Sequence, residues 1–166
     1  MIVSNVVLLE VAQGHKRAIQ AGPQTLGALL GLSIPEGWPE FPEAFAPSKQ
    51  ERPVNKAWPG YLFVLPGEGA LIGNGGFVGP PDAAGFVEIG YEIAPSFRNR
   101  GLATAAVVAM IQYAFSHNEV QGVVAHTLAE KNASNAVLKK AGMLFVEELP
   151  NPEVGHVWLW RKDRAG

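Results

Sequence analysis

Residues 95–115 read PSFRNRGLATAAVVAMIQYAF, a short loop running directly into a long apolar helix. The join carries Arg98 and Arg100, then Gly101 and Ala103. An ordinary helix start prefers an oxygen-bearing cap and acidic residues in its first turn. The unpaired N–H groups and aligned peptide dipoles make that end electropositive. Two guanidinium groups there are unfavourable unless an anion meets them. Gly101 and Ala103 keep the approach clear of side chains, so an extended phosphate can lie on the amides. The implied anion is a phosphate ester, in particular a pyrophosphate. On these six residues alone, a solvated helix start with two surface arginines stays open as the competing reading.

Other phosphate-binding loops are excluded by spacing. No G-x-x-x-x-G-K-[ST] string occurs, and the glycines of PGEGALIGNGG do not fall on G-x-G-x-x-G and lead into a strand.

Outward from the join, the chain alternates clearly. Residues 2–9 read as a strand, 12–22 as a short helix ending at Gly22, and TLGALLGLS as a further turn or two of helix. Pro35, Pro39, Pro42 and Pro47 then break a stretch holding Trp38, Phe41 and Phe45, which predicts a loop with short helical pieces. Three strands follow, at 61–65, 69–78 and 85–93, separated by glycine and proline turns. After the long helix of about 101–116 come a strand at 122–128, a helix over NASNAVLKKAG closed by Gly142, and a hairpin of MLFVEEL and HVWLW around Pro150 and Pro152. Strands in an antiparallel run, then a helix, a strand and a helix, predict an α+β domain with a mixed sheet. No repeat, low-complexity tract or linker divides the chain, so 1–166 reads as one domain.

Composition bounds the rest. With 166 residues, 48% apolar and 17% charged, the chain has enough material for a full core. A net charge of −2 gives no footprint for nucleic acid. Having no cysteine excludes disulfides, thiolate metal sites and a cysteine nucleophile. MIVSNVVLLEV lacks a basic n-region and meets Glu10 too early to span a bilayer, so no membrane association and a cytoplasmic location are expected. His15, His117, His126 and His156 form no metal-binding spacing, and no metal is expected. His126, on the strand at 122–128, is the one to watch, and it reads as a packed histidine rather than a base.

IAPSFRNRGLA, with a strand before it and an apolar helix after it, resembles the acyl-CoA-binding signature [QR]-x-x-G-x-[GA] of the GNAT superfamily of N-acetyltransferases. Arg98, Gly101 and Ala103 fill its defining positions. EIGYEIAP before it and NASNAVLKKAGM after it are most similar to the branch that includes RimJ and RimL, which acetylate N-terminal amines of ribosomal proteins. The specific resemblance covers about residues 85–146.

That resemblance implies a mostly antiparallel sheet flanked by helices on both faces, with acetyl-CoA in a gap between the fourth and fifth strands. The pantetheine arm would pair with main-chain groups of Tyr91, Glu92 and Ile93. The segment Arg98, Asn99, Arg100, Gly101, Leu102 and Ala103 would hold the pyrophosphate. Asn132 or Asn135 would meet the cofactor, unless both are helix-start caps. The partners implied are acetyl-CoA and an amine acceptor; the oligomeric state is open, a homodimer being one option.

The acceptor's proton is the remaining chemical problem. At pH 7 roughly a tenth of an α-amine is neutral, but less than about 0.1% of a lysine amine. A base is therefore useful for the first and nearly essential for the second. Alternation along 87–93 puts Glu88, Gly90 and Glu92 on one face, two carboxylates flanking a glycine that permits close approach. Glu88 matches the glutamate of the EIGY segment and is the candidate base or amine anchor. Where many GNAT enzymes carry a tyrosine as general acid, this chain has Leu138. Ser134 is the candidate to supply that proton or to contact the pantetheine. The missing tyrosine keeps a non-catalytic acyl-CoA-binding or interaction domain as the alternative. The proline-broken segment 35–59, with Trp38, Phe41 and Trp58 as candidate lining, is the candidate roof of the acceptor pocket, with core packing of its aromatics as the competing reading.

Overall fold

The computed structural model describes residues 2–3, 5–45, 57–130 and 132–165. Pro47 and most of the run between Phe45 and Trp58 lie outside them. The elements are β1 (Ile2–Val3), β2 (Val6–Glu10), α1 (Gln13–Ala21), α2 (Pro23–Leu30), β3 (Gly60–Leu65), β4 (Ala70–Phe77), β5 (Phe86–Ile93), α3 (Leu102–Phe115), β6 (Gly122–Leu128), α4 (Ala133–Lys140), β7 (Leu144–Asn151) and β8 (Gly155–Asp163). Short 3-10 turns stand at Pro42–Phe45, Pro66–Glu68 and Pro95–Phe97.

The strands form one sheet in the order β1-β2-β3-β4-β5-β6-β8-β7. Every neighbouring pair is antiparallel except β5 and β6. Two expectations shift. The first strand is divided at Asn5, whose φ of 69° is left-handed, a region asparagine tolerates better than most residues. The gap expected between the fourth and fifth strands therefore lies between β5 and β6. At the other end, β7 runs through Pro150 to Asn151. As the edge strand it can take a proline, which has no N–H to offer an outer ladder. The Asn151 side chain then accepts the N–H groups of Glu153 and Val154 at 2.9 and 3.2 Å, making the turn into β8.

The sheet buries both faces. On one, Leu62 of β3 and Leu71 of β4 pack with Ala18 of α1, Leu26 of α2 and the Trp38 ring. On the other, Phe63, Ile72, Val87, Ile89 and Val123 meet α3, with Leu138 of α4 in the same cluster. Helix α3 is apolar all round because it is central: Ala106, Val107, Ala109, Met110 and Ala114 are fully buried. Burying side chains the size of Val107 and Met110 stabilises by about 1.5–3 kcal/mol each. No helix among the described residues is long and apolar enough to cross a membrane.

The aromatics of the proline-broken segment are mainly core. Trp38 and Trp58 are 7% and 6% exposed, Trp58 packing on Phe77, Tyr113 and His117. Phe41 alone of the expected lining is open to solvent.

Candidate active site

Strands β5 and β6 pair only at Phe86–Gly122, Val87–Val123 and Glu88–Val124, then part. The gap therefore opens just past Glu88. The Glu88 carbonyl accepts the Val78 N–H at 2.9 Å, so it points toward the β4 side. Antiparallel alternation then turns the main-chain groups of Gly90 and Glu92 to β4, and those of Ile89, Tyr91 and Ile93 to the gap.

Of the three expected main-chain partners of the pantetheine, Tyr91 and Ile93 face the gap and Glu92 does not. The Glu92 carboxylate instead accepts the N–H groups of Glu40 (2.9 Å) and Phe41 (3.4 Å). Beside it the Trp38 indole donates to Asn74 Oδ1 at 2.8 Å. Asn74 and Glu92 are cross-strand partners, so this cluster fastens the 38–41 loop over β4 and β5.

At the entrance to α3, Asn99 and Gly101 are both left-handed, with φ of 64° and 75°. The first intrahelical bond runs from the Ala105 N–H to the Gly101 carbonyl, so the amides of Leu102, Ala103 and Thr104 precede it and aim outward. A Cβ built on Gly101 would meet none of the described residues within 4 Å. Gly101 suits this turn because glycine adopts the left-handed conformation at no steric cost.

The arginines answer the electrostatic puzzle in part. Arg100 makes a two-pronged ion pair with Glu68, and hydrogen bonding from Arg100 holds the Glu68 carboxyl below its usual range. Arg98 donates from Nε to the Ile93 carbonyl at 3.1 Å and approaches Glu40 at 3.5 Å. Arg98 thus braces the end of β5, and Arg100 is the guanidinium at the helix entrance. At the join, a surface groove of about 750 Å³ is lined by Asn5, Val7, Leu65, Glu68, Arg100 and Leu102.

Across the gap, the start of α4 is fixed by two ties. Asn132 caps it, its side chain accepting the Asn135 N–H at 3.1 Å. The Tyr91 hydroxyl donates to the Ser134 carbonyl at 3.0 Å. Burial pushes this hydroxyl up to about 12. Its protonated form is thus favoured by folding: the contribution is complete below an unfolded tyrosine's pKa of about 10 and lost as pH rises through the folded value. Tyr91 is a neutral donor, not a base.

Asn135 corrects an expectation. It is buried, its carbonyl oxygen accepts from the Thr127 hydroxyl and from the Trp160 indole (3.1 Å), and its amide donates to the Leu128 and Glu130 carbonyls. These bonds tie α4 to β6 and β8 and leave nothing for a cofactor. Leaving such groups unpaired costs about 1–3 kcal/mol each.

Residues 28–144 match the acetyltransferase (GNAT) domain. The chain belongs to the GNAT acetyltransferase family. Among curated relatives, YjdG of Bacillus subtilis (strain 168), an uncharacterized N-acetyltransferase, is 26% identical over 158 residues, spanning 94% of this chain and 90% of that protein. Among solved structures, the microcin C7 self-immunity acetyltransferase MccE, bound to acetyl-CoA and AMP, superposes with a TM-score of 0.71 at 16% identity, covering 97% of this chain and 93% of that one. The ribosomal L7/L12 α-N-protein acetyltransferase RimL, bound to coenzyme A, gives a TM-score of 0.69 at 15% identity, covering 98% and 96%. These structures share the fold.

In this GNAT enzyme, Leu138 is fully buried, so the position of the family's tyrosine is part of the core. Ser134, in the first turn of α4, is half-buried beside the gap. His126, expected to be packed, is not: its side chain is 37% exposed, and Nδ1 lies 2.8 Å from Glu88 Oε1. The strand order made β5 and β6 neighbours, but only their register brings these two residues together.

Proposed function

We propose that this GNAT enzyme transfers the acetyl group of acetyl-CoA to a primary amine by direct attack on the thioester. The carrying observation is the Asn99–Gly101 backbone, which turns the amides of Leu102, Ala103 and Thr104 outward beside the splay of β5 and β6. The pyrophosphate lies on those amides with Arg100 alongside, exchanging part of its pairing with Glu68 for phosphate. The pantetheine runs down the gap against the main chain of Tyr91 and Ile93, with Asn132 at its α4 side. A gap-facing N–H of β5 then meets the thioester oxygen as it becomes an oxyanion.

The chemistry needs no covalent enzyme intermediate. An ammonium loses one proton, and the neutral amine attacks the carbonyl carbon as the C–N bond forms. The tetrahedral adduct collapses with cleavage of C–S, and the nitrogen's second proton balances the departing thiolate. Ser134 passes that proton on. A thiol of pKa about 8.5 leaves without strong acid assistance, which is consistent with a leucine at position 138. Glu88 marks the amine's seat. Within the family, the EIGYEIAP and NASNAVLKKAGM segments favour the RimJ/RimL-like branch, and the shared fold with RimL is in keeping with it.

The test is thiol release from acetyl-CoA in the presence of separate classes of amine: peptides with free N-termini, polyamines, amino acids and aminoacyl nucleotides. Amine-dependent thiol, with a matching acetylated product by mass, is the expected result. Acetyl-CoA binding with no acetylated product from any class would leave the non-catalytic acyl-CoA-binding reading.

A further inference from the structure

We infer that His126 is the catalytic proton acceptor for the amine, that Glu88 is its positioning partner, and that the amine-bearing carbon passes over Gly90. The inference rests on the acetyl-transfer reading above and assigns its proton step to named atoms.

Glu88 Oε1 and His126 Nδ1 are 2.8 Å apart, with both side chains about one-third exposed. An ionised carboxylate can only accept, so the proton between them sits on Nδ1. That leaves Nε2 as the basic nitrogen, and no partner for it occurs among the described residues. A carboxylate on Nδ1–H fixes the ring's tautomer and stabilises the imidazolium that forms when Nε2 takes a proton. The pair also stands where it is needed. Glu88 and Val124 are the last matched positions before β5 and β6 separate, so two residues on, Gly90 and His126 flank the mouth of the gap.

Gly90 supplies an independent observation. Other glycines of this sheet region lack a side chain for internal reasons: a Cβ on Gly73 would come within 2.2 Å of the Glu92 carbonyl oxygen, and one on Gly75 within 2.6 Å of the Gly90 carbonyl oxygen. A Cβ on Gly90 would meet none of the described residues within 4 Å, and its backbone is not left-handed. Nothing among the described residues calls for a glycine there, although glycine weakens a strand interior. Close approach of a ligand accounts for it. Gly76, its partner on β4, belongs with the internal cases, since a Cβ there would come within 2.6 Å of Gly60 Cα, so Gly90 stands apart.

In this step the ammonium N–H bond breaks, Nε2–H forms, and the imidazolium charge is balanced by Glu88. After the amine attacks, the imidazolium returns its proton to solvent.

Two measurements test the pair, one of them independent of turnover. In ¹⁵N-labelled protein the neutral His126 ring should carry its proton on Nδ1, and Glu88→Ala should move the tautomer toward Nε2–H. A wild-type Nε2–H tautomer overturns the pairing. With an acceptor in hand, His126→Ala should lose about a hundredfold or more in kcat/KM. Acetyl-CoA affinity should be unchanged by calorimetry, and added imidazole should restore part of the rate. Glu88→Gln in that background should cost nothing further, because residues acting as a unit are not additive. Gly90→Ala should raise the acceptor KM without lowering the melting temperature. Near-normal turnover of His126→Ala, or fully additive losses in the double variant, overturns the assignment. A wild-type protein that shows the Nδ1–H tautomer but acetylates no amine counts against the transfer reading and not against the pair.

Discussion

Gly101→Glu abolishes the thermal stabilisation that acetyl-CoA gives the wild-type protein. At a ligand concentration of about 100 times Kd, linkage stabilises the folded state by about 2.7 kcal/mol. For a chain of this size that corresponds to a rise in Tm of about 5–10 °C. The new carboxylate would stand over the outward-facing amides of Leu102 and Ala103, where the phosphates belong, and next to Arg100. Since Gly101 is left-handed at φ 75°, any side chain there also carries backbone strain of about 1–2 kcal/mol. Gly101→Asn is the matched control, because asparagine tolerates that conformation and adds no charge. Loss of the ligand-induced shift in Gly101→Glu, with much of it kept in Gly101→Asn, separates charge from strain. Equal stabilisation of the wild type and Gly101→Glu would remove the join from the binding site.

The second large effect falls on turnover. Glu88→Gln keeps the shape of the side chain and removes its charge, so kcat/KM should fall by at least about tenfold, and a general base is worth about a hundredfold to ten-thousandfold. Acetyl-CoA affinity should hardly change, because Glu88 lies on the face opposite α3 and away from the phosphate amides. The deficit should shrink as pH rises and the acceptor amine deprotonates unaided. That trend identifies help with the proton; a charge that merely anchors an ammonium would show no such recovery. Near-normal rates for Glu88→Gln at neutral pH would take the β5 carboxylate out of the mechanism.

Much of this architecture is legible in the residues because its causes are local. Strand alternation, glycine closures and the apolar run of α3 each act within a few positions, so the β5–α3 join and the facing of Glu88 follow from sequence. What is hidden is long-range. Arg100 pairs with Glu68, and Arg98 with Glu40, across separations that no spacing rule encodes. The expected free arginines are therefore shared with carboxylates. Asn135 looks like a capping or cofactor residue because asparagine favours helix starts, yet Asn132 alone caps and Asn135 turns inward to Thr127 and Trp160. Trp38 and Trp58 show the same limit: aromatic density near prolines marks either a pocket or a core, and the packing here decides for core. His126 reads as packed until the short parallel register of β5 and β6 sets it beside Glu88.

Binding of acetyl-CoA across the α3 entrance and down the β5–β6 gap is what every step above depends on. Titration of ¹⁵N-labelled protein with acetyl-CoA, followed through backbone amide shifts, tests it directly. The largest changes should fall on Gly101, Leu102, Ala103 and Thr104, with a second set on Tyr91 and Ile93 and little change at the amides of α1. Shifts confined to the groove residues Asn5, Val7 and Leu65, or no saturable shifts at all, would contradict the account.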